Sequence, residues 1–543
     1  MKEITEKAGH NNMENKGKFY LTTAIPYASG KPHIGNVYDI VASDAIARFK
    51  REQGYDVYFV TGTDEHGQKV EDLAAAKGVS PKEYVDEVVA VIKDIWALMG
   101  ASYDKFIRTT DEEHVKCIQK IFTKLYEQGD IYKTTYDGLY CVPCESYFTE
   151  TQAPDGVCPD CGRPLVHSSE EAYKFRMSKY QERIEKFYEE CPDFAVPESR
   201  KKEMINNFIK PGIQDLCVTR STIKWGVPVP FDPKHVVYVW LDALPNYISA
   251  LGYDPENPSE LYKKYWPCDL HVIGKDIIRF HMIYWPAFLM ALGEPVPKKI
   301  FAHPWILFGG DKMSKSKGNI IYPDDAVNYF GLDAVRYYLL AETPYASDGS
   351  ITYESVISVF NTDLANTLGN LVSRTVSMTK KYFGGVIPAP AEKGEPDDEL
   401  IAAAKAAYEG FTENMESYHI ADAIASVFDL LRRANKYVDE TTPWSLAKDE
   451  SKADRLKTVI YNLLESLRIS AVLLAPVMPE TCEKILHAVN AENTGIDCAA
   501  TFGMLEAGKE VNDVGVLFAR IDEAKMLERI AADNEARKAA SAK

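Results

Sequence analysis

Two short stretches of this 543-residue chain carry residue types that hold phosphate. The first is His33-Ile34-Gly35-Asn36, set after a turn rich in Pro and Gly and opening an apolar pattern of helical spacing. A helix N-terminus offers unpaired amides and the positive end of a dipole. Gly35 allows close backbone approach, and His33 and Asn36 put polar donors one turn apart on the same face. The second stretch is Lys312-Met313-Ser314-Lys315-Ser316, followed by Lys317 and flanked by glycines. A cationic loop of this kind can close on a triphosphate and stabilise charge as pyrophosphate departs. Alone, the first is a polar helix start and the second a solvated basic loop. Their joint presence is far more specific.

A third signal is metal chemistry. Cys141-Val142-Pro143-Cys144 and Cys158-Pro159-Asp160-Cys161 form two short knuckles separated by 13 residues. Four thiolates at this spacing suit one tetrahedral Zn2+ with no open position, a structural site. A redox pair fits the regular knuckle pattern poorly. The other six of the ten cysteines are scattered and read as small buried apolar residues.

These residues need elements to position them. Strands are predicted at 18–24 and 56–60, with a helix at 34–51 between them carrying Val37, Ile40, Val41 and Ile46. Strand, helix, strand opens a parallel α/β sheet, whose ligands bind beyond the carboxyl ends of the strands. The pattern breaks at about 116–225, around the cysteines, and resumes with strands at 236–240, 270–273 and 299–302 and a helix at 277–290. From about Ser355 the chain is predicted helical to its end, with stripes such as Ile420, Ile424, Val427, Phe428 and Leu431 that belong to a core. Residues 384–398 read as a Pro/Gly-rich connection, and the last 25 or so as a fraying surface helix.

Bulk properties exclude several classes. Hydrophobic residues make up 46% and charged residues 26%, a globular balance. No apolar run reaches the roughly 18 residues of a membrane helix, and the first 17 residues lack the apolar region of a secretory signal. A net charge of −18 argues against a wholly basic nucleic-acid binder, but a local basic face is compatible with it.

The two phosphate stretches match, in order and distance, the signatures of class I aminoacyl-tRNA synthetases, written HIGH and KMSKS in one-letter code. Asn36 stands in place of the second histidine and can still donate a hydrogen bond. Further blocks resemble the methionyl-tRNA synthetase family: Ala24-Ile25-Pro26-Tyr27-Ala28-Ser29-Gly30, Thr61-Gly62-Thr63-Asp64-Glu65-His66-Gly67, Val239-Trp240-Leu241-Asp242-Ala243-Leu244-Pro245-Asn246-Tyr247 and Ile273-Gly274-Lys275-Asp276-Ile277-Ile278-Arg279-Phe280-His281. They span most of the catalytic half in the correct order.

The resemblance implies ATP-dependent activation of L-methionine and transfer to tRNA(Met), with Mg2+ accompanying ATP and one structural Zn2+. It implies His33, Asn36, Lys312 and Lys315 as catalytic, joined by Gly35, Gly274 and Asp276 in binding ATP. It implies a methionine pocket of Ile25, Tyr27, Asp64, Trp240, Ala243, Leu244, Tyr247, Ile277 and His281. Aromatic rings suit a thioether, Asp64 suits the ammonium, and His281 or the Tyr27 hydroxyl is a contact for the sulfur. Cys141, Cys144, Cys158 and Cys161 hold the zinc, and Asn370, Arg374 and Trp444 contact the anticodon. The expected fold is a Rossmann-type parallel-sheet catalytic domain with a zinc-knuckle insertion, then an all-α anticodon-binding bundle. Its expected divisions are a flexible segment 1–17, catalytic halves 18–115 and 226–323, an insertion 116–225, a linker 324–360 and a helical domain 361–543. A cytoplasmic monomer is expected, because no C-terminal domain resembling an OB-fold follows. No general base is assigned for the transfer step.

Rivals fit less well. Leucyl, isoleucyl and valyl relatives carry a large editing domain between the signatures, which here lie 279 positions apart, from 33 to 312. A cysteinyl enzyme places a zinc-binding cysteine before the first signature, and this chain has none before Cys117. A non-catalytic zinc-knuckle RNA binder leaves both phosphate stretches unexplained.

Overall fold

The computed structural model describes residues 15–142, 146–148, 150, 153–159, 162–311, 313 and 320–541. Lys312, Lys315, Cys144, Cys161 and most of the expected flexible segment lie outside them. The chain divides into two compact units, one of residues 17–43 and 55–305, the other built mainly from 44–54 and the residues from 306 onward.

The first unit is organised on a six-stranded parallel sheet in the order Lys105–Arg108, Asp56–Thr63, Lys18–Thr23, Leu270–Gly274, Ile300–His303, Ala195–Val196. Lys18–Thr23 is buried along almost its whole length, as expected for a strand covered on both faces. Its two neighbours in the sheet are Asp56–Thr63 and Leu270–Gly274, reached in opposite directions from it. This is a topological switch point, where crevices form beyond the carboxyl ends of strands. The edge strand Ala195–Val196 comes from within the stretch read as an insertion. That stretch also supplies all four strands of an antiparallel sheet, Ser146–Phe148, Ile131–Cys141, Val166–Phe175 and Leu216–Cys217.

Two sequence expectations fail here, each for a local reason. The β-rich run 236–240 is a strand only at Val236–Val237, and Val239–Ala243 is a helical turn. The amide of Tyr238 bonds to the Val218 carbonyl, and its own carbonyl accepts from Leu241 and Asp242, which closes the turn. Tertiary anchoring overrides β propensity. The helix expected at 277–290 is three pieces: a tight turn at Lys275–Ile277, a wide π turn at Phe280–Tyr284 and an α-helix at Trp285–Leu292. Pro286 has no amide to give to the Met282 carbonyl four residues back. The Tyr188 hydroxyl donates to that carbonyl instead, and a wide turn is where such a break is absorbed.

In the second unit the long helices are Asn370–Phe383, Glu395–Glu416, Ile420–Thr441, Ala453–Leu474 and Glu523–Ser541. The stripe named above is buried. Glu395–Glu416 starts inside the expected connection, because Asp397 turns back to accept the Gly394 amide at 2.9 Å. The chain is not helical to its end either. Between Ala488 and Glu523 its only regular segment is the short Ile496–Ala500. Here a buried pair replaces helical bonding. Glu465 accepts the amides of Gly503, Met504 and Leu505, while Arg468 donates to the carbonyls of Asn493, Cys498 and Thr501. Gly503, at φ 95°, takes a conformation that suits glycine.

Candidate active site

The helix Ile34–Glu52 begins directly after His33. The His33 carbonyl accepts the amides of Asn36 and Val37 at 2.8 and 3.3 Å. The His33 amide donates to Asn36 Oδ1 at 3.1 Å. A backbone N–H can only donate, so this bond fixes the carboxamide: its oxygen closes the turn and its NH2 is the donor at this exposed helix start. An asparagine thus supports the turn and keeps a hydrogen-bond donor where a second histidine stands in the usual signature.

Across the switch point, Leu270–Gly274 runs into Asp276. A Cβ on Gly274 would lie 2.6 Å from Asp276 Oδ1, so glycine permits this turn. Asp276 Oδ1 accepts Trp305 Nε1 at 3.0 Å. Behind it, His303 Nε2 lies 3.9 Å from Asp39 Oδ2, an ion-pair distance. Burial opposes charge on both. It pushes the Asp39 carboxyl up, whereas for His303 burial is outweighed by Asp39 together with the Pro304 carbonyl and Asp276, and the imidazole is pushed up too.

The residues expected to bind methionine come from four separate segments. Tyr27 and Asp64 are joined as a parallel bridge, with Ala28 N bonded to Asp64 O at 2.7 Å and Asp64 N to Pro26 O at 3.0 Å. Trp240 lies flat on Phe280, ring centroids 3.6 Å apart and planes 11° from parallel. Ala243, Leu244, Tyr247 and His281 are buried, and Ile25, Tyr27, Trp240 and Ile277 half-buried against the same core. His281 Nδ1 faces the Ile277 carbonyl at 3.0 Å and so carries the proton. Its Nε2 then accepts from the Tyr247 hydroxyl at 2.7 Å. Burial lowers the His281 pKa to about 4, so the ring is neutral at pH 7. Of the two sulfur contacts expected, this nitrogen is already committed to Tyr247.

Sequence reasoning missed the buried charged groups that link these segments. Glu65, fully buried, accepts from Nε and Nη2 of Arg108 at 2.7 and 2.8 Å and from the hydroxyls of Thr63 and Thr110. Asp242, also fully buried, faces His66 Nδ1 at 2.6 Å and His114 Nε2 at 3.0 Å. Charged residues at the end of the apolar strand, in Thr63-Asp64-Glu65-His66, were the available signal. His114, in the middle of an amphipathic pattern, gave none.

Cys141 and Cys158 share a small buried cluster with Phe148 and Ala153. The Cys158 amide and carbonyl are both bonded within its turn, to Arg163 and Gly162. A second group with ligand atoms within 4.8 Å, Glu171, Asp232 and His235, is a salt-bridge network in which Lys133 Nζ lies 2.8 and 2.9 Å from the two carboxylates. In the second unit, the Arg374 guanidinium lies 5.9 Å from the ring centre of Trp444. Trp444 is 41% exposed and is no core residue. Asn370 is exposed one turn before Arg374 on the same helix.

A family model described as tRNA synthetases class I (M) matches residues 19–167 and 162–376, and another, the anticodon binding domain of methionyl tRNA ligase, matches 387–535. The chain belongs to the class I methionyl-tRNA synthetases. It is 58% identical over 518 residues to the methionine–tRNA ligase of Clostridium acetobutylicum, covering 95% of this chain and 80% of that one. The Clostridium perfringens ligase is 58% identical over 507 residues, 93% of this chain and 78% of that one. Among solved structures, the Mycobacterium tuberculosis methionyl-tRNA synthetase in complex with methionyl-adenylate superposes with a TM-score of 0.89 at 41% identity, over 93% of this chain and all of that one. The reaction of a methionyl-tRNA synthetase is the ATP-dependent joining of methionine to its tRNA. Among the described residues no helix is long and apolar enough to cross a membrane.

Proposed function

We propose that the crevice beyond Lys18–Thr23 and Leu270–Gly274 divides the activation of methionine among named groups. The methionine carboxylate attacks the α-phosphate of ATP, giving methionyl-adenylate and pyrophosphate. His33, Gly35 and Asn36 bind the phosphates at the helix start, Gly274 and Asp276 contact the nucleotide, and Lys312 and Lys315 stabilise charge as pyrophosphate leaves. No protein nucleophile is required, so rate comes from positioning and electrostatics. Asp64 takes the ammonium. Ile25, Tyr27, Trp240, Ala243, Leu244, Tyr247, Ile277 and His281 enclose the side chain. The observation that carries this reading is the backbone bridge between Tyr27 and Asp64, which pairs an aromatic and an acidic residue beyond the central strands.

Asn370, Arg374 and Trp444 form the face for the anticodon, supported by the exposure of Trp444 beside a guanidinium, a combination suited to unpaired bases. Cys141, Cys144, Cys158 and Cys161 are the zinc ligands. The chemistry of four thiol donors fits the metal, and the shared burial of Cys141 and Cys158 supports a joint site. Zinc there would tie the two knuckles together and supply no reaction step. The compartment is the cytoplasm, where translation consumes charged tRNA, and Mg2+ enters with ATP.

The decisive experiment is single-turnover adenylate formation by Lys315→Ala. The rate is expected to fall roughly a hundredfold or more, as for loss of one preorganised donor, with the methionine Kd nearly unchanged. A variant that lost methionine affinity at an unchanged rate would overturn the assignment.

A further inference from the structure

The segments of the proposed pocket converge on one buried carboxylate. Asp242 lies between Trp240 and Ala243 in the turn Val239–Ala243, fully buried. Its Oδ2 is 2.6 Å from His66 Nδ1 and its Oδ1 3.0 Å from His114 Nε2. A carboxylate only accepts, so both imidazole nitrogens donate to it. His66 sits two residues after Asp64, with its ring against Trp225 at 5.3 Å. The Trp225 indole N–H donates to the Glu65 carbonyl at 2.6 Å, and the Gly67 amide donates back to the Trp225 carbonyl at 3.2 Å. His114 passes the connection on, with Nδ1 2.7 Å from Ser249 Oγ in the helical turn Asn246–Ser249 that carries Tyr247. One carboxylate therefore ties together the loop of Asp64, the turn of Trp240 and Ala243, and the turn of Tyr247.

The arrangement is costly to leave half-made. A buried carboxylate that loses one partner keeps its charge without full compensation, so the network holds all its members or shifts as a unit. The charge is retained: burial pushes the Asp242 carboxyl up, but His66 and His114 together outweigh it and the net shift is downward.

We propose that Asp242 is a positioning residue that, through His66, fixes the distance between the carboxylate of Asp64 and the pocket wall at Trp240 and Ala243, and so selects substrates by the spacing between ammonium and side chain. This rests on the reading that Asp64 holds the methionine ammonium. Such a residue acts on ligands that engage both ends of the pocket and is indifferent to those that engage only the wall.

The test uses the full-length enzyme, with His66→Gln as the mild variant and Asp242→Asn as the severe one. The probes are methionine and ATP in pyrophosphate exchange, and two inhibitors: methioninol, which keeps the ammonium, and 4-(methylsulfanyl)butanoate, which lacks it. His66→Gln is expected to raise the methionine KM and the methioninol Ki about tenfold. The Ki of the deaminated acid and the KM of ATP should stay within twofold, at a melting temperature near that of the parent. Asp242→Asn should show the same selectivity with a larger loss, and if it fails to fold His66→Gln decides. Weakening of all four ligands in step with falling melting temperature would mean a scaffold role only and overturn the proposal. Asp64→Asn, run on the same panel, separates it from the reading beneath it. An ammonium-specific loss in Asp64→Asn with none in His66→Gln overturns the positioning role alone. No ammonium-specific loss in either removes the assignment of Asp64 and the proposal with it.

Discussion

The proposed methionine site and the proposed anticodon face handle polar groups in opposite ways. At the former, Glu65, Asp242, His114 and His281 are all buried, each with hydrogen-bond partners. At the latter, Trp444 stands 41% exposed beside Arg374. A small amino acid brings too little surface to organise its own site, so the protein must supply a finished concavity whose polar groups are already aimed. A loop of RNA brings flat bases that bury an aromatic ring on arrival. Preformation on one side and exposure on the other are thus set by the size of the ligand.

Breaking the preformed side at its proposed zinc should have the largest effect. Purified enzyme is expected to hold about one zinc per chain, and Cys144→Ser with Cys158→Ser should release it and lower the stability of the first unit. Full metal content in the double variant, measured by elemental analysis, would end the zinc assignment. Next comes Asp64→Asn. A hydrogen bond to a charged group is worth about 1.5–3 kcal/mol, so the methionine KM should rise roughly ten- to hundredfold with little change for ATP. An unchanged methionine KM would remove Asp64 from the pocket.

On the exposed side, Trp444→Ala should weaken tRNA use by roughly tenfold, since loss of one stacked base costs about 1–3 kcal/mol. Because the ring is exposed, melting temperature and tRNA-independent pyrophosphate exchange should hold. An unstable variant failing both assays would return Trp444 to the core and erase the contrast. The smallest effect is on pH. The His281 pKa is about 4 in the folded chain, against roughly 6.5 for an unperturbed imidazole. The unfolded chain therefore binds the proton more readily. The contribution to stability is intact above about pH 6.5 and declines as pH falls toward about 4, by at most about 1.4 kcal/mol per pH unit. Urea unfolding at pH 6.5 and 5.5 should show a shallower loss for His281→Gln than for the parent; equal slopes would mean that His281 is not the group titrating.

The sequence by itself determined what is local. The helix start proposed to bind phosphate needs only a strand, a turn and the first helical residues, and Lys18–Thr23 followed by His33-Ile34-Gly35-Asn36 supplies them contiguously. The alternation of parallel strands and the amphipathic stripes of the long helices were legible for the same reason, since period and propensity act over a few residues. The tertiary structure alone decided what depends on distant partners. The run 236–240 has the composition of a strand, yet only the bond from Tyr238 to Val218 and the closure of the following turn make it helical. The helix expected at 277–290 breaks where Pro286 leaves a carbonyl that Tyr188, 94 positions from Met282, takes up. The pocket's fixed spacing rests on Asp242 meeting His66 and His114 across separations of 176 and 128 positions. No pattern along the chain encodes such a meeting. A buried charge finds its partners only after the apolar core has brought them within hydrogen-bond reach.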